Sequence, residues 1–174
     1  YNIRYELIPE ETTMQQQTLC KMYKKIIEDD IGMVAKIYDN RVEFRYPGIG
    51  NLLINVSEDD PEFFHMLFPA FFELSYLGIS REQLFEIVNL TNASIKNSKI
   101  IIHPVTTDPS ACDITAMIES IVAGPNEIPD KALLKDVIER GLGTLTSILK
   151  FFKNAVNERR LDKTDVMKME SNYT

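Results

Sequence analysis

The sequence predicts an α+β fold in which helices cover one face of an antiparallel sheet of about five strands. Three observations carry that prediction. Apolar residues recur at helical spacing near the front and again over a long closing stretch. Between these stretches lie blocks that alternate with a period of two. Tight turns built from Asp, Asn, Pro and Gly join those blocks as hairpins. The expected order is α-β-β-β-α-α-β-β-α, a three-strand meander followed by a helical pair and a hairpin. It makes one domain over residues 1–160, with 161–174 as a loosely docked or frayed tail.

The first helix is expected from about Glu11 to Asp30, where Leu19, Met22, Tyr23, Ile26 and Ile27 share one face. Lys21, Lys24 and Lys25 take the other. In the meander, residues 32–57, Met33, Ala35 and Ile37 alternate with Val34, Lys36 and Tyr38, and Asp39-Asn40 supplies the turn. Val42, Phe44 and Tyr46 then alternate with Arg41, Glu43 and Arg45. Pro47 to Asn51 turns the chain again, and Leu52, Ile54 and Val56 mark the third strand.

Asp60-Pro61 has the order of an N-cap followed by a first-turn proline, which predicts a helix over the phenylalanine-rich run "PEFFHMLFPAFFELSYLGIS" with a bend at Pro69. Capping also accounts for Glu58, Asp59, Asp60 and Glu62 without a metal ion. Phe63, Phe64, Phe68, Phe71 and Phe72 are expected either to cover the sheet as core or in part to spill outward as a sticky patch. Ser80-Arg81-Glu82-Gln83 fits a capping box. Strands follow at Lys99–Val105 and Cys112–Val122 around an Asp108-Pro109 turn, and an apolar stripe from Leu134 to Val156 predicts a closing helix over Asp130–Arg160.

Composition narrows the function classes. A chain of 174 residues with 44% apolar and 26% charged residues is globular in type, and at that length it buries roughly 70% of its unfolded surface. Its net charge of −7, with no basic stripe interleaved with aromatics, speaks against nucleic acid and anionic membrane as partners. No run of about 18 apolar residues is present to span a membrane. Two cysteines in no paired spacing suggest a reducing, cytoplasmic setting. The chain begins at Tyr1 rather than Met, which leaves a preceding targeting segment open.

Chemical motifs are weak. Gly141-x-Gly143 falls inside a helical pattern and Gly48-x-Gly50 inside a hairpin turn, so neither aims helix amides at a phosphate. His65 and His103 are too few and too distant for a metal site. His103 and Cys112 could meet across the second hairpin as an activated thiol, but no third orienting group is visible. The expectation is therefore no catalytic residue, no cofactor and no metal. The uncovered sheet face carries Arg41, Glu43, Arg45, Asp113, Thr115 and Glu119, with Met117 and Ile121 among them. It reads either as plain solvated surface or as a docking face. The candidate partner-binding residues are Arg41, Arg45, Met117 and Ile121 on that face and Phe64 and Phe68 in the aromatic run.

The element order, together with Val88-Asn89-Leu90-Thr91-Asn92 at a helix end, resembles the "VNxxN" element of the YbjN-like family of bacterial sensory transduction regulators, which has the type III secretion chaperone-like fold. The resemblance extends over residues 11–160. It implies a non-enzymatic module acting on a protein partner or client in a bacterial cytoplasm, as a homodimer in the manner of secretion chaperones. From the residues alone, Asn89 and Asn92 share a helical face near a C-terminus, a structural position. The alternative is an apolar pocket between sheet and helices, lined by Phe64, Phe68, Phe71 and Phe72, for a lipid-like or aromatic ligand.

Overall fold

In a computed structural model the described backbone covers residues 14–105 and 108–171, and side chains are described for 16–104 and 112–160. The first helix, α1, is Met14–Lys25 and closes in a π-helical turn, Ile26–Asp30; residues 11–13 of the expected helix lie outside the described residues. Its stripe is buried as the spacing requires, with Leu19, Tyr23, Ile26 and Ile27 all in the core. The meander follows as β1 (Ala35–Tyr38), β2 (Arg41–Tyr46) and β3 (Gly50–Asn55). Asp39 holds the positive φ, 50°, that the first turn needs.

The phenylalanine-rich run departs from expectation. It is not a helical pair but an 11-residue strand, β4 (Phe63–Glu73), followed by one helical turn, α2 (Leu74–Leu77). Phe64, Met66 and Phe68 point into the core while Phe63, His65 and Leu67 point away. A helix would have spread these side chains around its whole circumference. Pairing with strands on both sides satisfies the backbone of β4 and outweighs the helical cues. Pro69 sits where the register shifts between Phe68 and Phe72, next to Ala70 at φ 45°. A bulge of this kind tolerates a residue without an N–H. Asp60-Pro61 caps no helix; the Asp60 carbonyl accepts from the Phe63 N–H at 3.1 Å in a turn that enters β4.

After this segment come α3 (Arg81–Ser94), β5 (Ser98–Val105), β6 (Asp108–Ile121) and α4 (Lys131–Ser171). The capping box forms as expected: Ser80 Oγ accepts from the Gln83 N–H, and Gln83 Oε1 accepts from the Ser80 N–H at 2.9 Å. Asp130 Oδ1 caps α4, accepting from the N–H of Ala132 at 2.9 Å and of Leu133 at 3.1 Å. The backbone of α4 continues past the expected end at Arg160 to Ser171.

Six strands result, in the order β1-β2-β3-β4-β6-β5, every neighbouring pair antiparallel. The fold is thus α+β, with β4 as the added strand. The inward face packs against α1, α3 and α4 in one cluster of buried residues that includes Val42, Ile54, Met66, Ile118, Leu145 and Phe152. Gly141 lets α4 cross the sheet closely, since a Cβ there would stand 2.7 Å from Met66 Cε. Phe152 is fully enclosed and stacks on Phe72 at 5.6 Å between ring centroids. Burying one such side chain stabilises the fold by about 1.5–3 kcal/mol.

Candidate functional site

Strand parity builds the candidate site. With core residues on the inward face, the alternate residues of each strand fall on the other face. The register lines up Lys36, Glu43, Leu53, Leu67, Met117 and Lys99 in one row across all six strands. A second row joins Tyr38, Arg41, Asn55, His65 and Glu119. Phe63 lies beside Ile121 and Ile101 beside Thr115. Among the described residues no helix covers this face, so an apolar middle (Leu53, Leu67, Ile101, Met117) is bounded by charged ends.

Exposure on the face is uneven. Val34 is 80%, Ile121 75% and Tyr38 46% exposed, whereas Met117 is only 7% exposed. Met117 therefore stands on the expected face but offers a partner little surface. Phe64 at 0% and Phe68 at 9% belong to the core on the opposite face, which corrects their expected place in an outward patch. The alternation of β4 leaves them no other direction.

The charged groups divide into paired and unpaired. Arg41 Nε meets Glu43 Oε1 at 2.8 Å, and Lys99 meets Glu119. Lys36 and Arg45 have no ion-pair partner among the described residues, and both line one open groove with Val34, Tyr38, Leu53 and Pro69, a cavity of about 400 Å³. His65 is half-buried between Phe63 and Glu119, and its Nε2 has no hydrogen-bond partner among the described residues. Burial holds its pKa below the usual histidine value; Glu119 opposes that shift and Lys99 adds to it.

The two outer strands are closed in part by side chains. In an antiparallel edge strand, every second residue turns both its N–H and its C=O outward. On β5 the Ile100 N–H donates to Asn92 Oδ1 at 2.7 Å, and Asn92 Nδ2 donates back to the Ile100 carbonyl at 3.2 Å. Pro104, two outward positions further along, has no N–H to offer. On β1 the Ala35 carbonyl accepts from Lys24 Nζ at 2.7 Å, and the Ala35 N–H donates to Glu28 Oε1 at 3.4 Å. Lys24 and Glu28 are themselves an ion pair. Ile37 on β1 and Ser98 and Ile102 on β5 are left as outward residues, interrupted on β5 by the Asn92 plug at Ile100, so neither edge offers an unbroken row to a guest strand. Of the two asparagines in the Asn-x-x-Asn spacing, Asn92 has this structural use, standing in for a neighbouring strand.

The weighed enzymatic arrangement fails on register. His103 pairs with Asp113 and Cys112 with Pro104, so the histidine is exposed on one face while Cys112, 2% exposed, is buried on the other. Burial raises the pKa of the Cys112 thiol, the reverse of an activated nucleophile. Of the rings expected to line an apolar ligand pocket, Phe64 and Phe68 are buried in the core, Phe71 and Phe72 pack against Phe152 at 5.5 and 5.6 Å, and Phe72 also borders an open cavity of about 230 Å³ with Tyr76, Leu77 and Val156. Among the described residues no three His, Cys, Asp or Glu side chains gather to hold a metal, and no helix is long and apolar enough to cross a membrane.

Neither a protein-family model nor a curated protein matches the chain. Among solved structures it is similar to YbjN from E. coli, described as a candidate transcription regulator, with a TM-score of 0.49 and 12% identity, over 76% of this chain and 86% of that one. A likeness of that closeness carries no argument about what this chain does.

Proposed function

We propose that this chain is a non-enzymatic module that works by docking a protein partner on the open face of its sheet, in a regulatory or chaperone-like role. One observation carries the proposal: a sheet covered by helices on one side presents, on the other, an apolar middle between charged ends with Val34 and Ile121 standing 80% and 75% exposed. Apolar side chains held on a rigid sheet and rimmed by charge are the composition of a contact surface. Partly closed edges favour contact through side chains over strand addition. The buried free thiols Cys20 and Cys112 suit a reducing, cytoplasmic setting.

Site-directed photo-crosslinking tests the proposal. A photoreactive residue is placed at Ile121 or Leu53 on the open face, and at Leu90 on α3 as the control. Each protein is irradiated in lysate of the source organism, and adducts are identified by mass spectrometry. The proposal expects one defined protein adduct at Ile121 and Leu53 and none at Leu90. Adducts to a second copy of this chain would make the face a homodimer surface. Adducts at Leu90 alone, or at none of the three, would reject the open face as the docking site.

A further inference from the structure

We infer that the groove across β1, β2 and β3 receives an acidic, apolar segment of the partner, whose carboxylates meet Lys36 and Arg45 while its apolar side chains lie on Val34, Tyr38 and Leu53. This rests on the docking reading above and names the chemistry of the occupant.

Charge is the first argument. Arg41 and Lys99, the other long cations of the open face in these rows, are occupied by Glu43 and Glu119. Lys36 and Arg45 are left unpaired, and they line the same groove. The chain as a whole carries −7, so an approaching acidic segment is repelled by most of the surface and drawn to this place. An unpaired guanidinium beside an unpaired ammonium suits carboxylates, the first through a planar two-donor fork and the second as a point charge.

Shape is the second. The groove is open along the sheet and holds about 400 Å³, room for several side chains of an extended segment rather than for an enclosed small molecule. Exposed Val34 and Tyr38 stand on the same strand face as Lys36, spaced two residues apart on either side of it. A bound segment therefore meets cation and apolar wall together. Backbone geometry supplies the third argument: the Ala35 edge position is taken by Lys24 and Glu28, which turns a guest away from the edge and onto the face.

The test is fluorescence anisotropy with the full chain and three labelled probes: a short peptide alternating Glu or Asp with Leu and Phe, the same peptide with Lys in place of each acid, and a short single-stranded RNA. The acidic peptide is expected to bind, to weaken as salt is raised, and to lose affinity by about tenfold or more in the double variant Lys36→Glu/Arg45→Glu. Glu43→Gln, which removes a carboxylate from the groove, is expected to tighten binding. Lys135→Gln, on α4 and away from the open sheet face, is expected to leave binding unchanged. Circular dichroism and thermal unfolding establish that each variant folds, and Lys36→Gln/Arg45→Gln replaces the double glutamate variant if that one does not. Equal binding of acidic and basic peptides, retained affinity in the double variant, or displacement of the peptide by the RNA would each overturn the inference. If crosslinks at Ile121 and Leu53 persist while no acidic peptide binds, this occupant is wrong and the docking face stands; if both fail, both fall.

Discussion

Replacing Asn92 with Ala removes both hydrogen bonds that close the β5 edge at Ile100, 2.7 and 3.2 Å long. Ile100 is 4% exposed, so its N–H and C=O lose partners in a mostly dry place. Each orphaned group costs about 1–3 kcal/mol when water cannot replace the bond. Asn92 itself is exposed, and its truncation admits some water to the gap. The lower end applies to each bond, which gives a loss of about 2 kcal/mol. Alanine is also the better helix former, by about 0.5 kcal/mol, and that gain offsets part of the loss. Asn89→Ala isolates the offset, because Asn89 is exposed on the same helix and has no hydrogen-bonded side chain among the described residues. The difference between the two variants therefore reports the two bonds. At this chain length it corresponds to about 4–8 °C in Tm. Urea unfolding followed by far-UV circular dichroism measures the difference, and hydrogen exchange at the Ile100 amide supplies an independent check, with faster exchange expected in Asn92→Ala only. Equal stability of Asn92→Ala and Asn89→Ala would refute the assignment of Asn92 as a plug for the sheet edge.

Three other expectations follow from burial. Phe152→Ala removes a fully enclosed ring in contact with Phe71 and Phe72, and is expected to cost about 3–5 kcal/mol in the same unfolding assay; a loss under about 1 kcal/mol would mean that the aromatic cluster repacks. His65 has a folded-state pKa held below 6.5, so as pH falls through 6.5 the unfolded chain takes up a proton that the folded chain refuses. Stability is therefore expected to decline from neutral pH downward until the folded His65 also protonates, and His65→Gln is expected to flatten that decline; an unchanged slope in the variant would place its cause elsewhere. Cys20 and Cys112, 0% and 2% exposed with thiols pushed up in pKa by burial, are expected to be alkylated by iodoacetamide far more slowly than free cysteine until the chain is unfolded, as read by mass. Rapid modification of the native chain at Cys112 would reopen its reactivity.

By itself the sequence determined those parts of the molecule whose signals are local. Asp39-Asn40 and the Pro47–Asn51 turn set the meander, Ser80 and Gln83 start α3, and the clean alternation of Arg41, Glu43 and Arg45 against Val42 and Phe44 marks one face as core and the other as open. Met117, Glu119 and Ile121 were legible on that open face for the same reason, since a period of two survives wherever polar and apolar residues take turns. Tertiary structure decided the rest. Phe63 to Phe68 is apolar at nearly every position, so its alternation is invisible until β3 and β6 pair on either side and bury Phe64, Met66 and Phe68. The Asp60-Pro61 N-cap pattern meanwhile suggested a helix. The groove at Lys36 and Arg45 depends on which charges find partners, and the closure of the β1 and β5 edges depends on helices reaching over from elsewhere in the chain. Local patterns report what a residue prefers, whereas pairing, neutralisation and edge closure are properties of neighbours brought together from distant positions. No reading along a single chain can list those neighbours before the sheet has closed.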